Sequence, residues 1–525
     1  MPIIYDTTLR EGFQTPGGVG ASLDERMYIA KMIAQHRYAD WIELGMPANA
    51  VDKEVIRHIS GALKDVGIGV LARATASDID AAADVMAGHP NSLCHIFIGT
   101  SDEHRAVRFG GKRTKREYCD GIEACVSRAR AKDFSRVMFS REDAMRTFTQ
   151  DSGFFYDVID AARKGHGTGR LIVNLPDTTG VATTGEFIQM LRAVQKRYRA
   201  DIDVSIHSHN DSGHSVSHAI EAYQHGVASW IQTCFGGIGE RNGISSTESV
   251  LTQFDERGVR VLSDRKNLVP VTNSILAAMG RVINDVTPIA GPYTNITASG
   301  IHADLTSKNS AAYHSRGCTY GAIPVSEFGP TSGAGQVVDA LAKIGVIKSK
   351  EQVAAFTNVL KQRSNMQKSA VSESEIMSTY LIDEGSAYPL RVTNPRISVG
   401  EESVLSMYVS NDEKSREIIR KGGADYRLIV DALCDVSAEM GHMLSFGDLT
   451  VRVVPCVPKR FISSGSPVTA LDLDSRLCAT TTLYSSQLPF AVRSTFVSEH
   501  SMYAMMMSAI HATQDAVLIG RYLRK

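Results

Sequence analysis

Short apolar runs recur through the N-terminal half of the chain. They fall at Ile3 to Thr8, Asp40 to Leu44, Ile68 to Leu71, Cys94 to Ile98, Val137 to Phe139, Leu171 to Asn174, Val204 to Ile206 and Trp230 to Cys234. Runs this short, bounded by polar residues, predict buried strands. Between them lie LDERMYIAKMIAQH, SDIDAAADVMA and TTGEFIQMLRAVQKRY, where apolar residues return every three or four positions. That period predicts amphipathic helices. The repeated strand-then-helix order predicts an α/β fold, a (β/α)₈ TIM barrel. A doubly wound open sheet is the alternative, but it calls for a glycine-rich phosphate loop after its first strand. Here the first strand runs into DTTLREGFQ.

The pattern changes twice further on. From about 266 to 385 it is mostly helical, broken by ITASGIHADLTSKNSAAYHS and FGPTSGAGQV. The last stretch contains a weak internal repeat. PLRVTNPRISV, SVLSMYVS and ADYRLIVDALCDVSAEMG form one strand–strand–helix unit, and DLTVRVVPCV, RLCATTTLYSS and SEHSMYAMMMSAIHATQD a second. The expected organisation is a catalytic barrel over 1–265, helical subdomains over 266–385, and a regulatory or dimerising α+β domain over 386–525.

Composition narrows the class. The formal net charge of -1 over 525 residues excludes a broad basic surface for nucleic acid. Eight cysteines without a CxxC pair fit a reduced compartment better than a disulfide framework or zinc ribbon. The N-terminus lacks the basic and apolar regions of a signal peptide, and no apolar run is long enough for a membrane span. A cytoplasmic protein is expected.

Polar residues cluster just past the strands: Arg10 and Glu11, Arg73, Ser140 and Glu142, Asp177 and Thr178, His207 and His209. In a barrel, all strand C-termini open on one mouth, so these distant positions meet. His207 and His209 are two apart on a strand, so both imidazoles face one side and can share a metal ion. Glu11 is the candidate third ligand, leaving coordination positions open for substrate. Arg10 beside it is placed to stabilise an oxyanion. GGIGERNG, at 236–243, has the glycine density of a backbone that a ligand approaches closely. For His302, spacing gives no reason to prefer catalysis over a surface role.

DTTLREG, FSRED, LPDTTG, HSHND, GIGERNG and SGIHAD occur together and in this order. The set resembles the acetyl-CoA-dependent 2-isopropylmalate, homocitrate and citramalate synthases, whose barrel is related to that of hydroxymethylglutaryl-CoA lyase. The resemblance covers residues 1 to about 335. It implies a divalent metal (zinc, manganese, magnesium, cobalt or iron) on Glu11, His207 and His209, with Arg10 polarising the keto oxygen. It implies a substrate-carboxylate contact from Thr178, to which the strand-end cluster adds Arg73 and Ser140 as candidate substrate contacts, and acetyl-CoA near Gly237, Gly239 and Glu240. Glu142 matches an active-site acid. His302 matches a histidine that assists acetyl deprotonation from the other subunit of a homodimer, with Tyr313 or Tyr320 as its companion.

Some positions depart from any one type. Isopropylmalate-type synthases mostly carry Asp at the Glu11 position, and Ile244 replaces their usual Asn; both features resemble homocitrate synthases. VLARATASDID resembles the isopropylmalate type, and Thr75 falls near the arginine that homocitrate synthases use. Phe13 replaces the usual acidic residue. The expected reaction is therefore condensation of acetyl-CoA with a 2-oxo acid, 2-isopropylmalate synthase-like, with homocitrate or citramalate synthase as alternatives. The basic stretch RAVRFGGKRTKRE suggests a phosphonate-bearing acid as a further option, against a solvated loop and helix face. A metal-dependent acyl-CoA lyase and a non-catalytic metal-binding regulator are the competing classes.

Overall fold

The computed structural model describes residues 1–386 apart from short breaks at 49, 110–112, 200, 298, 310–311, 314–315, 323–324 and 368. Beyond these it describes the strands and helices between 391 and 523 given below. The chain divides into two compact units, one of residues 1–295 and 315–323, the other of 296–314 and 324–525.

The first unit is a closed barrel of eight parallel strands in sequential order. They are β1 (Ile3–Asp6), β2 (Trp41–Glu43), β3 (Gly67–Arg73), β4 (Ser92–Gly99), β5 (Arg136–Glu142), β6 (Leu171–Asp177), β7 (Ile202–Ser208) and β8 (Trp230–Thr233). Every expected strand run holds one of them. Helices fall where the three-to-four period predicted them, at Leu23–Gln35, Ala76–Met86 and Thr184–Tyr198. Capping boxes at Ser22 and Thr183 start the first and last of these.

Strand alternation sorts the side chains. Ile4, Ile42, Val70, Ile96, Phe139, Val173 and Ile206 face the helices and build the main core. The opposite faces fill the barrel in layers. Its floor is apolar: Tyr5, Leu93, Met138, Ile172 and Trp230, with Ile3 and Trp41 packed on them. Glycine makes room for the largest of these rings. A Cβ at Gly67 would stand 2.2 Å from the Trp41 ring, and one at Gly69 2.0 Å from the Tyr5 hydroxyl. The layer above the floor is polar and forms the site described below.

The second unit begins with Ile296–Thr297, Val325–Phe328 and Val371–Ser372, which form a small three-stranded sheet where a helical passage was expected. Strands of two to four residues carry too few alternations to register as a period. Helices Gly300–Lys308, Ala334–Ala342, Ala354–Gln367 and Glu373–Asp383 complete this part. The C-terminal repeat consists of two antiparallel three-stranded sheets, not two-stranded units. The additional strands are Ser415–Gly422 and Val492–Ser498. The first is rich in charge, as an exposed edge strand is, and its alternation is lost in the pair Ile418–Ile419. The long helix Ser501–Leu523 matches the second expected helix, whereas the first, ADYRLIVDALCDVSAEMG, lies mostly outside the described residues. Leu405, Met407, Val409, Ile418, Leu483, Met506 and Ile510 share one apolar cluster across these sheets and helices.

Cys94, Cys119, Cys125, Cys234, Cys318 and Cys434 carry free thiols. Among the described residues, no helix is long and apolar enough to cross a membrane.

Candidate functional site

The mouth of the barrel holds a cavity of about 250 Å³. Its walls come from the inward positions at the ends of the strands. His95 and Phe97 rise from β4, Ser140 and Glu142 from β5, Asn174 and Pro176 from β6, His207 from β7 and Gln232 from β8. Loops after the strands add Arg10, Glu11, Gln14, Thr178, His209, Glu240 and Arg241.

Glu11, His207 and His209 bring one ligand atom each to within 4.8 Å of one another, and all three are buried. The two rings lie 5.1 Å apart. His207 Nδ1 is 2.9 Å from Gln232 Oε1, and Gln232 Nε2 reaches Ser205 Oγ and Met138 Sδ at 3.4 Å. That amide orientation makes Nδ1–H the donor, so His207 presents the lone pair of Nε2. Nε2 lies 3.8 Å from Glu11 Oε2. His209 Nδ1 is buried without a hydrogen-bond partner, as a ring nitrogen reserved for a ligand would be.

The charges suit a cation. Burial holds His207 down to about 3 and His209 below the usual imidazole range, so both rings are neutral. Burial pushes Glu11 up, but Arg10 and the two histidines outweigh it and hold the carboxyl at about 2. Two neutral imidazoles and one carboxylate are the donor set of a catalytic divalent metal. The residues present fit that group.

Arg10 is locked between two acids. Its Nε–H donates to Glu43 Oε2 at 2.6 Å, and its Nη1 contacts Glu11 Oε2. Glu43 ends β2 and is fully buried. Its Oε1 accepts from Tyr5 at 3.0 Å and lies 2.6 Å from His95 Nδ1. The Ser140 hydroxyl donates to His95 Nε2 at 2.9 Å, and its Oγ accepts from Asn174 Nδ2 at 2.6 Å. One hydrogen-bonded chain thus runs from Arg10 across the barrel to β6.

The glycine loop touches the acid of the cluster. The Glu240 backbone N–H donates to Glu11 Oε1 at 2.9 Å. Gly239 has φ of +154°, and a Cβ there would stand 2.9 Å from Glu11 Cγ. Glycine is required on both counts. Arg241 clamps the loop through Asp211 at 2.8 Å and the Thr178 carbonyl at 2.7 Å.

The structure gathers Arg10, Glu11, Ser140, Glu142, Thr178, His207, His209 and Glu240 around one cavity. Thr178 Oγ1 accepts the Asp143 N–H at 2.8 Å, which leaves its own O–H to donate. Gly237 and Gly239 belong to the loop but do not line the cavity. Neither does Arg73, which swings out to pair with Asp78 at 2.6 and 3.0 Å. His302 lies in the second unit, where its ring stacks on Tyr313 at 3.9 Å. Tyr320 is buried in the first unit and donates to Asp255 at 2.8 Å. In the basic stretch, Arg105 stacks over the Phe154 ring and Lys115 pairs with Asp151, while 110–112 lie outside the described residues.

Sequence reasoning missed Glu43, His95, Asn174 and Gln232. Each sits inside an apolar run at an inward position of its strand. Counting strand parity from Tyr5 and Trp41 is the signal that would have found them.

Comparison with known proteins gives the lineage. A 2-isopropylmalate synthase of Ruminiclostridium cellulolyticum is 29% identical over 476 residues, covering 86% of this chain and 91% of that one. The 2-isopropylmalate synthase 1 of Caldanaerobacter subterraneus subsp. tengcongensis is 31% identical, covering 71% of this chain and 93% of that one. The match to the 2-isopropylmalate synthase of Sediminispirochaeta smaragdinae, at 32% identity, covers 57% of this chain and spans 59% of that relative's length. Among solved structures, a hydroxymethylglutaryl-CoA lyase from Pseudomonas aeruginosa aligns over 55% of this chain and 95% of its own, with a TM-score of 0.45 and 17% identity. The family model described as HMGL-like matches residues 1–275, a span that holds all eight strands and every residue of the cavity, and the chain belongs to the HMGL-like family.

Proposed function

We propose that the barrel mouth condenses the acetyl group of acetyl-CoA with a 2-oxo acid, giving a 2-substituted malate and free CoA. The observation that carries this reading is the pairing of Arg10 with the Glu11–His207–His209 cluster at one wall of the cavity. The relatives named as 2-isopropylmalate synthases support it along most of the chain.

A divalent metal bound by Glu11, His207 and His209 supplies a Lewis acid for the keto group. The protein's own residues do the rest. Arg10, held protonated between Glu43 and Glu11, faces the oxygen on which negative charge develops. Thr178 offers its hydroxyl to the acid's carboxylate, with Ser140 lining the wall beside it. On the motif resemblance, the thioester sits near the loop of Gly237 and Gly239, of which Glu240 reaches the cavity. A base removes a proton from the acetyl methyl; the motif SGIHAD assigns this to His302, with Glu142 as its acid partner in the cavity. The methyl carbon bonds to the keto carbon, the new alkoxide takes a proton, and water cleaves the thioester to release CoA. A homodimer in which His302 serves the opposite barrel belongs to this reading and rests on the motif alone.

The test is thiol release from acetyl-CoA across a panel of 2-oxo acids, including branched, dicarboxylic and phosphonate-bearing members. Release that depends on one class of acid is expected. Cleavage of an acyl-CoA with no 2-oxo acid present would overturn the reading in favour of a lyase.

A further inference from the structure

Arg141 is the largest side chain among the described residues that is wholly shut off from solvent. It lies on β5 between Ser140 and Glu142, which both line the barrel cavity. Strand alternation turns it the other way, onto the face that Phe139 gives to the main core. A guanidinium therefore stands in the layer between strands and helices, where its neighbours are apolar.

It has few partners there. Its Cζ is 3.8 Å from the centre of the Phe155 ring, and Nη2 donates to Thr100 Oγ1 at 3.1 Å. Nε and Nη1 are buried without a hydrogen bond. Asp143, two residues on, is turned to Arg146. Burial lowers Arg141 to about 9, so it is charged at neutral pH. A buried cation without a paired carboxylate costs stability, and the ring contact offsets only part of that cost.

Thr100 links this cation to the cavity wall. A guanidinium can only donate, so Thr100 Oγ1 accepts from it and sends its own proton to the Glu142 carbonyl at 3.0 Å. The Thr100 N–H donates to the same carbonyl at 3.1 Å. Polarised by the cation, the hydroxyl is a stronger donor than an unassisted one. The next residue is fastened as well. The Thr147 hydroxyl donates to the Asp143 carbonyl at 2.9 Å, and the Asp143 N–H donates to Thr178 Oγ1 at 2.8 Å. The turn needs such ties, because Asp143 has φ of +64°, in the left-handed region.

We propose that Arg141 is a positioning residue for the condensation: through Thr100 it fixes the turn that presents Glu142 to the cavity, at a cost in stability. This rests on the reading of the barrel mouth given above.

Four variants test it: Arg141→Met, Thr100→Val, Thr100→Ser, and Arg141→Met combined with Thr100→Val. Methionine keeps a flexible stem on the Phe155 ring and removes the charge. Each is measured for thermal midpoint, thiol release from acetyl-CoA with the accepted 2-oxo acid, and amide hydrogen exchange. Arg141→Met is expected to melt at or above the wild type while kcat falls about tenfold or more, with KM for the acid within about twofold. Exchange at the Asp143 and Thr147 amides quickens several-fold in the same variant. Thr100→Val repeats the loss of kcat, Thr100→Ser keeps the hydroxyl and most of the turnover, and the double variant is no worse than either single one. A lower midpoint or failure to fold in Arg141→Met makes the residue a structural rivet and overturns the proposal. Wild-type kcat in that variant, losses that multiply in the double variant, or unchanged exchange overturn it too. A wild type that releases no thiol with any acid strikes the reading of the barrel mouth instead, and amide exchange then decides on Arg141.

Discussion

Glu43 holds Arg10 by a 2.6 Å hydrogen bond from a position with no exposure to solvent. The acid lies on β2 and the arginine on the loop after β1, so the pair fastens the loop that carries Glu11 to the barrel wall. Burial pushes the Glu43 carboxyl up, yet Arg10 and His95 together hold it well below the ordinary carboxylate range.

Removing one partner of such a pair strands the other charge. Glu43→Ala is expected to cost about 3–5 kcal/mol of stability, read as a lower denaturant midpoint. Glu43→Gln keeps the shape and should cost less. A midpoint for Glu43→Ala within error of the wild type would contradict the role given to this pair.

Gly239→Ala tests the loop against the cluster. Its Cβ has no room beside Glu11 Cγ, and its backbone angle is one that alanine rarely adopts. The variant is expected to fold but to bind divalent metal at least several-fold more weakly, measured by competition with a chelating dye. Unchanged metal affinity would mean that the loop gives way and Glu11 does not.

His207→Ala and His302→Ala should separate two losses. The first is expected to lose bound metal and turnover together, whereas the second keeps its metal and loses turnover. Elemental analysis beside thiol release distinguishes them. Full activity in His302→Ala would remove that residue from the mechanism.

Glu248 sets a pH dependence of stability. It is fully buried, and burial, then the neighbouring Asp6 charge against hydrogen bonds from the backbone, leaves its carboxyl raised to about 7. The folded protein therefore keeps a proton that the unfolded chain releases near pH 4.5. This term makes stability fall as pH rises between those values, by on the order of 3 kcal/mol, and then stay level. Asp6, also raised to about 7, by burial above all, adds in the same direction. Glu248→Gln should gain stability relative to the wild type on going from pH 5 to pH 8. A difference in thermal midpoint that is the same at both pH values would contradict the assignment.

The barrel was legible because buried strands and amphipathic helices leave different periods in sequence, and each strand run here is flanked by a polar segment. The Glu11–His207–His209 cluster was legible because its members lie at strand ends, where polar residues stand out. Glu43, His95 and Gln232 were not, since a polar residue within an apolar run reads as noise until the inward face of the strand is known. Arg73 shows the opposite limit. It stands at a strand end, yet Asp78 in the first turn of the next helix offers a closer partner than the cavity does. The third strands of the C-terminal repeat escaped because charge on an edge strand erases the alternation that marks it.

The rings of Tyr5, Trp41 and Trp230, seated over two glycines, stop the barrel like a cork. The pocket above them opens toward the C-terminal ends of the strands. If the proposed condensation takes place here, acid, thioester and both products would share that opening, and a departing CoA would have to clear it before the next arrival.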